Sequence, residues 1–139
     1  VDKFIKDVII ENTPNRGFNI ITYDDVLNIK LNSALNIYAD IVFCRVKEFL
    51  KIKFKRPSRY FWNYYDSSSI AFEHTDSKDK NNVSILYNLH DNDGGTEIDG
   101  KFYKSKAGQA IVFSSNLLHK GVMSKNKDHR LNLNMIGVV

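Results

Sequence analysis

A histidine and an aspartate two positions apart, His74 and Asp76, lie near the middle of the 139-residue chain. Side chains at positions i and i+2 of an extended segment point to the same face. If residues 70–76 form a strand, the imidazole and the carboxylate enter the same space, where they can share a metal ion. His119 follows Asp76 by 43 residues, enough chain for several strands to bring it beside the pair. We therefore predict a metal site made of these three residues.

Two histidines and one carboxylate are the ligand set of non-haem Fe(II) oxygenases, and this set leaves further coordination positions open. Catalytic zinc accepts the same ligands, so the set alone leaves both metals open. Arg130 follows His119 by 11 residues and stands at the head of the last predicted strand. An arginine inside a cavity can hold a carboxylate through two parallel hydrogen bonds. Together the four residues indicate a metal centre with an anion-binding group nearby.

The elements that must position these groups follow a helix-then-strands order. Apolar residues recur with a helical period up to Phe49, which predicts one amphipathic helix over about 24–50, with residues 22–25 as its capping segment. About eight short strands follow, separated by turn residues. We place them near 60–65, 70–76, 83–89, 96–98, 101–103, 110–114, 119–122 and 130–138. The pattern predicts a mainly β protein, a sandwich or jelly roll, with the helix on one outer face of a sheet.

Three segments allow two interpretations each. In the last strand Arg130, Asn132 and Asn134 share one face, which either meets solvent or lines an internal cavity while the leucines pack beneath the helix. The aromatic run at 60–65 is either core or the wall of a substrate groove. The basic run at 51–59 favours a half-buried strand with its lysines outward, and the alternative is a polyanion-binding patch.

Residues 60–138 resemble the 2-oxoglutarate/Fe(II)-dependent dioxygenase superfamily, particularly its prolyl-4-hydroxylase-like branch. The resemblance is carried by Tyr65 nine residues before His74, by LYNL and DGGTE within 86–97, and by AGQAIVF and LHKGV within 107–122. It implies a double-stranded β-helix (jelly roll) with helical support on the major sheet. The implied domain spans 1–139, with the helical support over about 1–56 and the jelly-roll core over about 57–139.

The resemblance also implies roles for single residues. His74, Asp76 and His119 would bind Fe(II), and Arg130 would bind the distal carboxylate of 2-oxoglutarate. Candidates for further cosubstrate contacts are Tyr65, Tyr87 and Asn132, the last standing where many relatives have serine. The implied reaction uses O₂ and 2-oxoglutarate to hydroxylate a protein, peptide or small-molecule substrate, a peptidyl proline being the first guess. Related halogenases lack the carboxylate ligand, so Asp76 favours hydroxylation.

Two alternatives from other classes remain open at this point. One is a cupin-like or zinc-dependent enzyme with the same ligands, which would not need Arg130. The other is a non-catalytic jelly-roll binding module in which His74 and Asp76 are surface residues. A net charge of +4 does not favour a nucleic-acid partner, and no apolar run approaches membrane-spanning length. The single cysteine, Cys44, read as a buried helix residue, excludes a disulfide within these residues and fits a cytoplasmic setting.

Overall fold

The computed structural model describes residues 18–24, 33–66, 68–126 and 129–139. These residues form one helix and eight strands. The helix is α1 (Ser33–Leu50). The strands are β1 (Phe18–Asp24), β2 (Arg56–Tyr65), β3 (Asn82–Asn88), β4 (Gly95–Ile98), β5 (Lys101–Lys104), β6 (Ala110–Ser114), β7 (His119–Val122) and β8 (Arg130–Val138). In the described part of the chain, no helix is both long enough and apolar enough to cross a membrane.

The strands form two antiparallel sheets that face each other as a jelly roll. The major sheet has five strands in the order β1-β2-β8-β3-β6, and the minor sheet has three in the order β5-β4-β7. Strands β2 and β8 pair over nearly their full lengths at the centre of the major sheet. The predicted mainly β architecture is therefore confirmed.

Strict alternation along β8 divides the major sheet into two chemically different faces. Leu131, Leu133 and Met135 are buried on one face, where they belong to the hydrophobic core with Tyr60 and Trp62 of β2. The polar residues between them turn to the other face, towards the minor sheet. Of the two interpretations of the last strand, the internal cavity is the one observed.

Helix α1 packs on the apolar face of the major sheet. Its buried residues Ala39, Val42 and Phe43 join the same core. The ring of Phe43 lies 5.2 Å from that of Phe54, which precedes β2. Because the hydrophobic core lies between the helix and one face of the sheet, the opposite face is left free to carry polar groups, as the predicted helical support requires.

Three local predictions are wrong. Residues 70–76 do not form a strand, since only His74 makes an isolated bridge. Residues 22–24 belong to β1 rather than to a helix cap, and α1 is described from Ser33, so 25–32 of the predicted helix lie outside the described residues. Cys44 is exposed rather than buried, because it lies on the side of α1 that faces away from the sheet.

Candidate functional site

A cavity of about 330 Å³ lies between the two sheets. Its walls include the inward residues of β2 and β8 on one side and Thr96 of β4 with His119 and Gly121 of β7 on the other. The loop that follows β2 contributes Ile70, Phe72 and the segment His74–Asp76 near the opening. The aromatic run is divided by strand alternation, since Phe61 lines the cavity whereas Trp62 and Tyr64 belong to the core.

The structure brings His74, Asp76 and His119 together in this cavity. One potential ligand atom from each lies within 4.8 Å of the other two. The Oδ1 atom of Asp76 is 3.6 Å from Nε2 of His74 and 3.4 Å from Nε2 of His119. His74 is half-exposed at the opening, with 53% of its side chain accessible, whereas His119 is buried. The three groups therefore form a cluster that is closed on one side and open to solvent on the other.

Main-chain hydrogen bonds hold the loop that carries two of these residues. The amides of His74 and His119 each donate to the other's carbonyl oxygen at 2.9 Å. The amides of Asp76 and Ser77 both donate to the carbonyl oxygen of Ser115, at 3.0 and 3.1 Å. The loop is thus tied to β7 and to the β6–β7 turn without belonging to a sheet, and the two-residue spacing still directs both side chains inward.

The hydrogen bonds of the imidazoles fix which nitrogens face the cluster. Nδ1 of His74 lies 2.8 Å from the carbonyl oxygen of Phe72, and Nδ1 of His119 lies 3.0 Å from that of Leu117. A carbonyl can only accept, so each Nδ1 carries the proton and donates it. Each Nε2 is thereby turned towards Asp76, and Nε2 of His119 is buried without a hydrogen-bond partner. Metal-bound histidines commonly have this arrangement.

The carboxylate of Asp76 is oriented by contacts to its other oxygen. Oδ2 accepts hydrogen bonds from Ser84 Oγ at 2.6 Å and from Asn134 Nδ2 at 3.2 Å. Burial of this side chain opposes its ionisation, but the adjacent imidazoles of His119 and His74 and the hydrogen bond from Ser84 outweigh burial and hold the pKa of Asp76 far below its ordinary value. The same carboxylate raises the pKa of His74. Asp76 is therefore an anion whose Oδ1 is presented to the two histidines.

These residues fit a divalent transition metal. The donor set is two imidazole nitrogens and one carboxylate oxygen, all on one side of the space between them. The orphaned, buried Nε2 of His119 is a polar atom that a metal would satisfy. The half-exposed His74 leaves the opposite side accessible, so further ligands could approach the metal from the cavity.

Arg130 is the second unusual group in the cavity. Only 2% of the residue is exposed, and its side chain donates a hydrogen bond from Nη2 to Oγ1 of Thr96 at 2.7 Å. Its Nε and Nη1 atoms are buried without partners, and burial lowers the pKa of Arg130 to about 10. A buried guanidinium without a counter-ion is costly. A guanidinium in this setting could bind an anion that enters the cavity.

Two of the other predicted site residues lie beside Arg130. Tyr65 lines the cavity with its ring 5.7 Å from the guanidinium carbon, and burial raises the pKa of Tyr65, so its hydroxyl keeps a proton to donate. Asn132 also lines the cavity, and its Oδ1 accepts a hydrogen bond from Asn63 Nδ2 at 2.8 Å. That bond leaves the amide group of Asn132 able to donate to a ligand.

Tyr87 does not belong to this cavity. Its neighbour Leu86 lines the cavity, and alternation along β3 turns Tyr87 to the helix side. There its ring lies 6.4 Å from that of Tyr38 on α1. The structure therefore places Tyr65, and not Tyr87, near Arg130.

Sequence reasoning missed Arg59, which also lines the cavity. It was counted with an outward basic run, but residues 51–55 are not a strand, and the β2–β8 register shifts between Pro57 and Arg59. From Arg59 onward alternation places it on the face of Phe61 and Asn63. The inward positions of Asn63 and Tyr65 are the signal from which Arg59 could have been found.

Comparisons with known proteins give structural neighbours and no sequence relatives. No family model and no curated protein matches the chain. A prolyl-4-hydroxylase from Pseudomonas putida has a TM-score of 0.62 at 17% identity, over 99% of this chain and 80% of that one. A truncated form of the viral collagen prolyl hydroxylase from Paramecium bursaria Chlorella virus-1 has a TM-score of 0.65 at 16% identity, with the same coverage.

A cupin protein from Bacteroides fragilis has a lower TM-score of 0.46, at 17% identity over 66% of this chain and 71% of that one. This score is too low to carry an argument. At the identities of the two hydroxylases, the likeness shows the shared fold alone. The function must therefore be argued from the cavity itself.

Proposed function

We propose that this protein is a 2-oxoglutarate- and Fe(II)-dependent dioxygenase that hydroxylates a substrate. The observation that carries the proposal is the buried, unpaired guanidinium of Arg130 in the same cavity as a two-histidine, one-carboxylate cluster. A zinc hydrolase would use the cluster but has no need for a buried anion receptor. A cosubstrate that is a dicarboxylate uses both features.

Fe(II) would be held by Nε2 of His74, Oδ1 of Asp76 and Nε2 of His119. When bound with 2-oxoglutarate and O₂, it supplies the oxidising chemistry that converts a C–H bond into C–OH while 2-oxoglutarate becomes succinate and CO₂. The chain's own part is to fix the donors. Ser84 and Asn134 hold the carboxylate through Oδ2, and main-chain carbonyls hold both imidazoles.

Arg130 would take the distal carboxylate of 2-oxoglutarate. Its unpaired Nε and Nη1 atoms offer two donors for a bidentate pair, while Nη2 stays fixed to Thr96. The protonated hydroxyl of Tyr65 and the amide of Asn132 are further donors in the same part of the cavity. A compact cluster of donors that has no anion of its own favours a carboxylate ligand over a neutral one.

Asp76 favours hydroxylation over halogenation, since it supplies the anionic ligand whose place a halide would otherwise take. Two solved neighbours are prolyl hydroxylases by name, so a peptidyl proline remains the first guess for the substrate. The half-exposed His74 marks the side from which such a substrate would reach the metal.

The test is an anaerobic titration of the purified protein with Fe(II) and then 2-oxoglutarate. We expect the weak visible charge-transfer band of an Fe(II)–2-oxo-acid chelate, and succinate once O₂ is admitted. Arg130→Gln should need much more 2-oxoglutarate for the same band, whereas Tyr87→Phe, altered on the opposite face of the sheet, should match the wild type. Absence of the band at saturating reagents, with Fe(II) bound, would rule out the cosubstrate.

A further inference from the structure

Arg59 is a second arginine in the cavity, and neither the metal site nor the cosubstrate pair uses it. Its Nη2 lies 3.3 Å from Oδ1 of Asp76, and its guanidinium carbon lies 4.0 Å from the ring centroid of Phe61. The side chain is 22% exposed, so solvent and ligands can reach it, unlike the fully buried Arg130. Stacking on Phe61 limits its conformations, so the guanidinium is held in place before any ligand arrives.

Among the side chains that the structure describes, Arg59 forms its ion pair with an oxygen that a metal would bind. Oδ1 of Asp76 faces both histidines, while Oδ2 is already occupied by Ser84 and Asn134. A divalent cation on Oδ1 neutralises that oxygen and repels the guanidinium. Nε of Arg59 is buried with no hydrogen-bond partner even without a metal. Metal binding therefore leaves Arg59 a cation without a counter-ion among the described side chains.

The charges that line the cavity leave one positive charge uncompensated. Among the lining side chains that the structure describes, the permanently charged groups are Arg59, Arg130 and Asp76, with a net charge of +1. A divalent metal and doubly charged 2-oxoglutarate cancel each other. The loaded cavity thus keeps a charge of +1, and the cation nearest the opening is Arg59.

The cavity also has apolar walls. Phe61 lies against Arg59. Ile70, Ala71 and Phe72 also line the cavity, and Ile70 and Phe72 are about half-exposed. Burial of an apolar group against such a surface is favourable, whereas a second charged group here would be desolvated without a partner. The site combines one fixed cation with an apolar wall.

We infer that the substrate is a carboxylic acid with a short apolar body, whose carboxylate pairs with Arg59. The inference rests on the proposed function, because it is the metal and 2-oxoglutarate that leave Arg59 as the remaining cation. The inference also narrows the peptidyl-proline guess. A proline with a free carboxylate could pair with Arg59, whereas a proline inside a neutral peptide could not.

The experiment uses protein loaded with Mn(II) and saturating 2-oxoglutarate, and it follows paramagnetic broadening of probe proton resonances. Broadening reports binding near the metal without turnover. The probes are two matched pairs, N-acetylproline with N-acetylprolinamide and 4-methylpentanoate with 4-methylpentanamide. Each pair keeps its apolar body and differs in charge. Affinities for Mn(II) and 2-oxoglutarate are measured on the same samples.

We expect each acid to bind at least about 10-fold more tightly than its amide. Arg59→Gln should weaken the binding of the acids by about 10- to 100-fold and leave the binding of the amides unchanged. Arg59→Lys should have an intermediate effect on the binding of the acids. Mn(II) should bind Arg59→Gln as tightly as the wild type or more tightly, since a repelling cation is gone. Arg45→Gln, which removes the same charge from the exposed side of α1, should leave all constants unchanged.

Two results would overturn the inference. One is equal binding of acids and amides, or no binding of either acid. The other is a fall in Mn(II) affinity in Arg59→Gln that accounts for the weaker acids, which would make Arg59 a positioning residue for Asp76. Failure of the proposed function has a different signature: 2-oxoglutarate would not bind, or would not depend on Arg130, while the acids still depended on Arg59.

Discussion

His74 and His119 hydrogen-bond to each other through their main chains in both directions, each N–O distance being 2.9 Å. Their imidazole rings also lie close, with centroids 4.3 Å apart. The bridge joins the loop after β2 to the minor sheet and depends on no side-chain atom. The spacing of the two histidines is therefore a property of the backbone, and changing either side chain should not disconnect the loop.

The first prediction concerns the imidazoles. We expect His74→Ala and His119→Ala each to weaken metal binding by at least about 100-fold, because each removes a donor. His74 is half-exposed, so its replacement should change the free energy of unfolding of the metal-free protein by less than about 0.5 kcal/mol. His119 is buried against Phe113, so its replacement should cost about 1–3 kcal/mol. Metal titration and denaturant unfolding measure the two effects, and unchanged metal affinity in either variant would contradict the site.

The second prediction concerns Asp76. Asp76→Ala should abolish hydroxylation and leave a coordination position open to water or halide. It also removes the partner of Ser84 and Asn134, so unfolding of the metal-free protein should become easier by about 1–3 kcal/mol. Product analysis with and without added chloride tests the first part. Wild-type product formation by this variant would remove Asp76 from the ligand set.

The third prediction concerns Ser84, which touches Asp76 but lies outside the ligand set. Ser84→Ala should lower metal affinity by about 10- to 100-fold, as expected for loss of an orienting contact. Asn116 offers a control, since its exposed side chain accepts a hydrogen bond from the Ser114 hydroxyl in the β6–β7 turn and does not line the cavity. Asn116→Ala should leave metal affinity unchanged. Equal effects of the two changes would mean that Ser84 acts through the fold and not through Asp76.

The fourth prediction compares the two tyrosines. Tyr65→Phe removes a hydroxyl near Arg130 and should weaken the binding of 2-oxoglutarate by about 2- to 10-fold, which is the expected effect of losing a neutral hydrogen bond. Tyr87→Phe alters the helix-facing side of β3 and should leave 2-oxoglutarate binding unchanged. Calorimetric titration of each variant with 2-oxoglutarate measures the two affinities. A larger effect of Tyr87→Phe would show that its ring reaches the site by another route.

Strand alternation made much of this site predictable. In β8 it placed Arg130, Asn132 and Asn134 on one face, and all three line the cavity. Applied to β3 it would also have separated Leu86 from Tyr87, because neighbours in a strand point to opposite faces. The assignment of Tyr87 came from the resemblance instead, and the resemblance could not say on which face a residue lies.

Other features depend on contacts that no local pattern encodes. The segment 70–76 lies between turn signals as a short strand would, yet the amides of His74 and Asp76 donate to the carbonyl oxygens of His119 and Ser115, and the segment makes only an isolated bridge to β7. The inward direction of Arg59 depends on the register shift after Pro57. Residues 22–24 resemble a helix cap in composition, but they pair with β2. In each case tertiary pairing overrides a local preference.

The last prediction concerns Arg130, the group on which the cosubstrate assignment depends. Two of its nitrogens are buried without partners, so the protein without ligand bears the cost of a desolvated cation. 2-Oxoglutarate should relieve this cost. At 100 times its dissociation constant it should therefore stabilise the metal-loaded protein by about 2.7 kcal/mol, seen as a higher unfolding temperature. 2-Oxoglutaramate, which keeps the 2-oxo acid but has an amide in place of the distal carboxylate, should stabilise less at the same concentration.

Replacement of Arg130 should separate cosubstrate binding from metal binding. Arg130→Gln should weaken the binding of 2-oxoglutarate by about 10- to 100-fold or more, because a charge-assisted hydrogen-bonded pair contributes about 1.5–3 kcal/mol. Arg130→Lys should be intermediate, since an ammonium cannot reproduce the two parallel hydrogen bonds. Metal affinity should change little, because the hydrogen bond of Arg130 is to Thr96 and not to a ligand. The two constants are to be measured separately in each variant. If 2-oxoglutarate affinity is unchanged, or if both affinities fall together, Arg130 serves the fold rather than the cosubstrate.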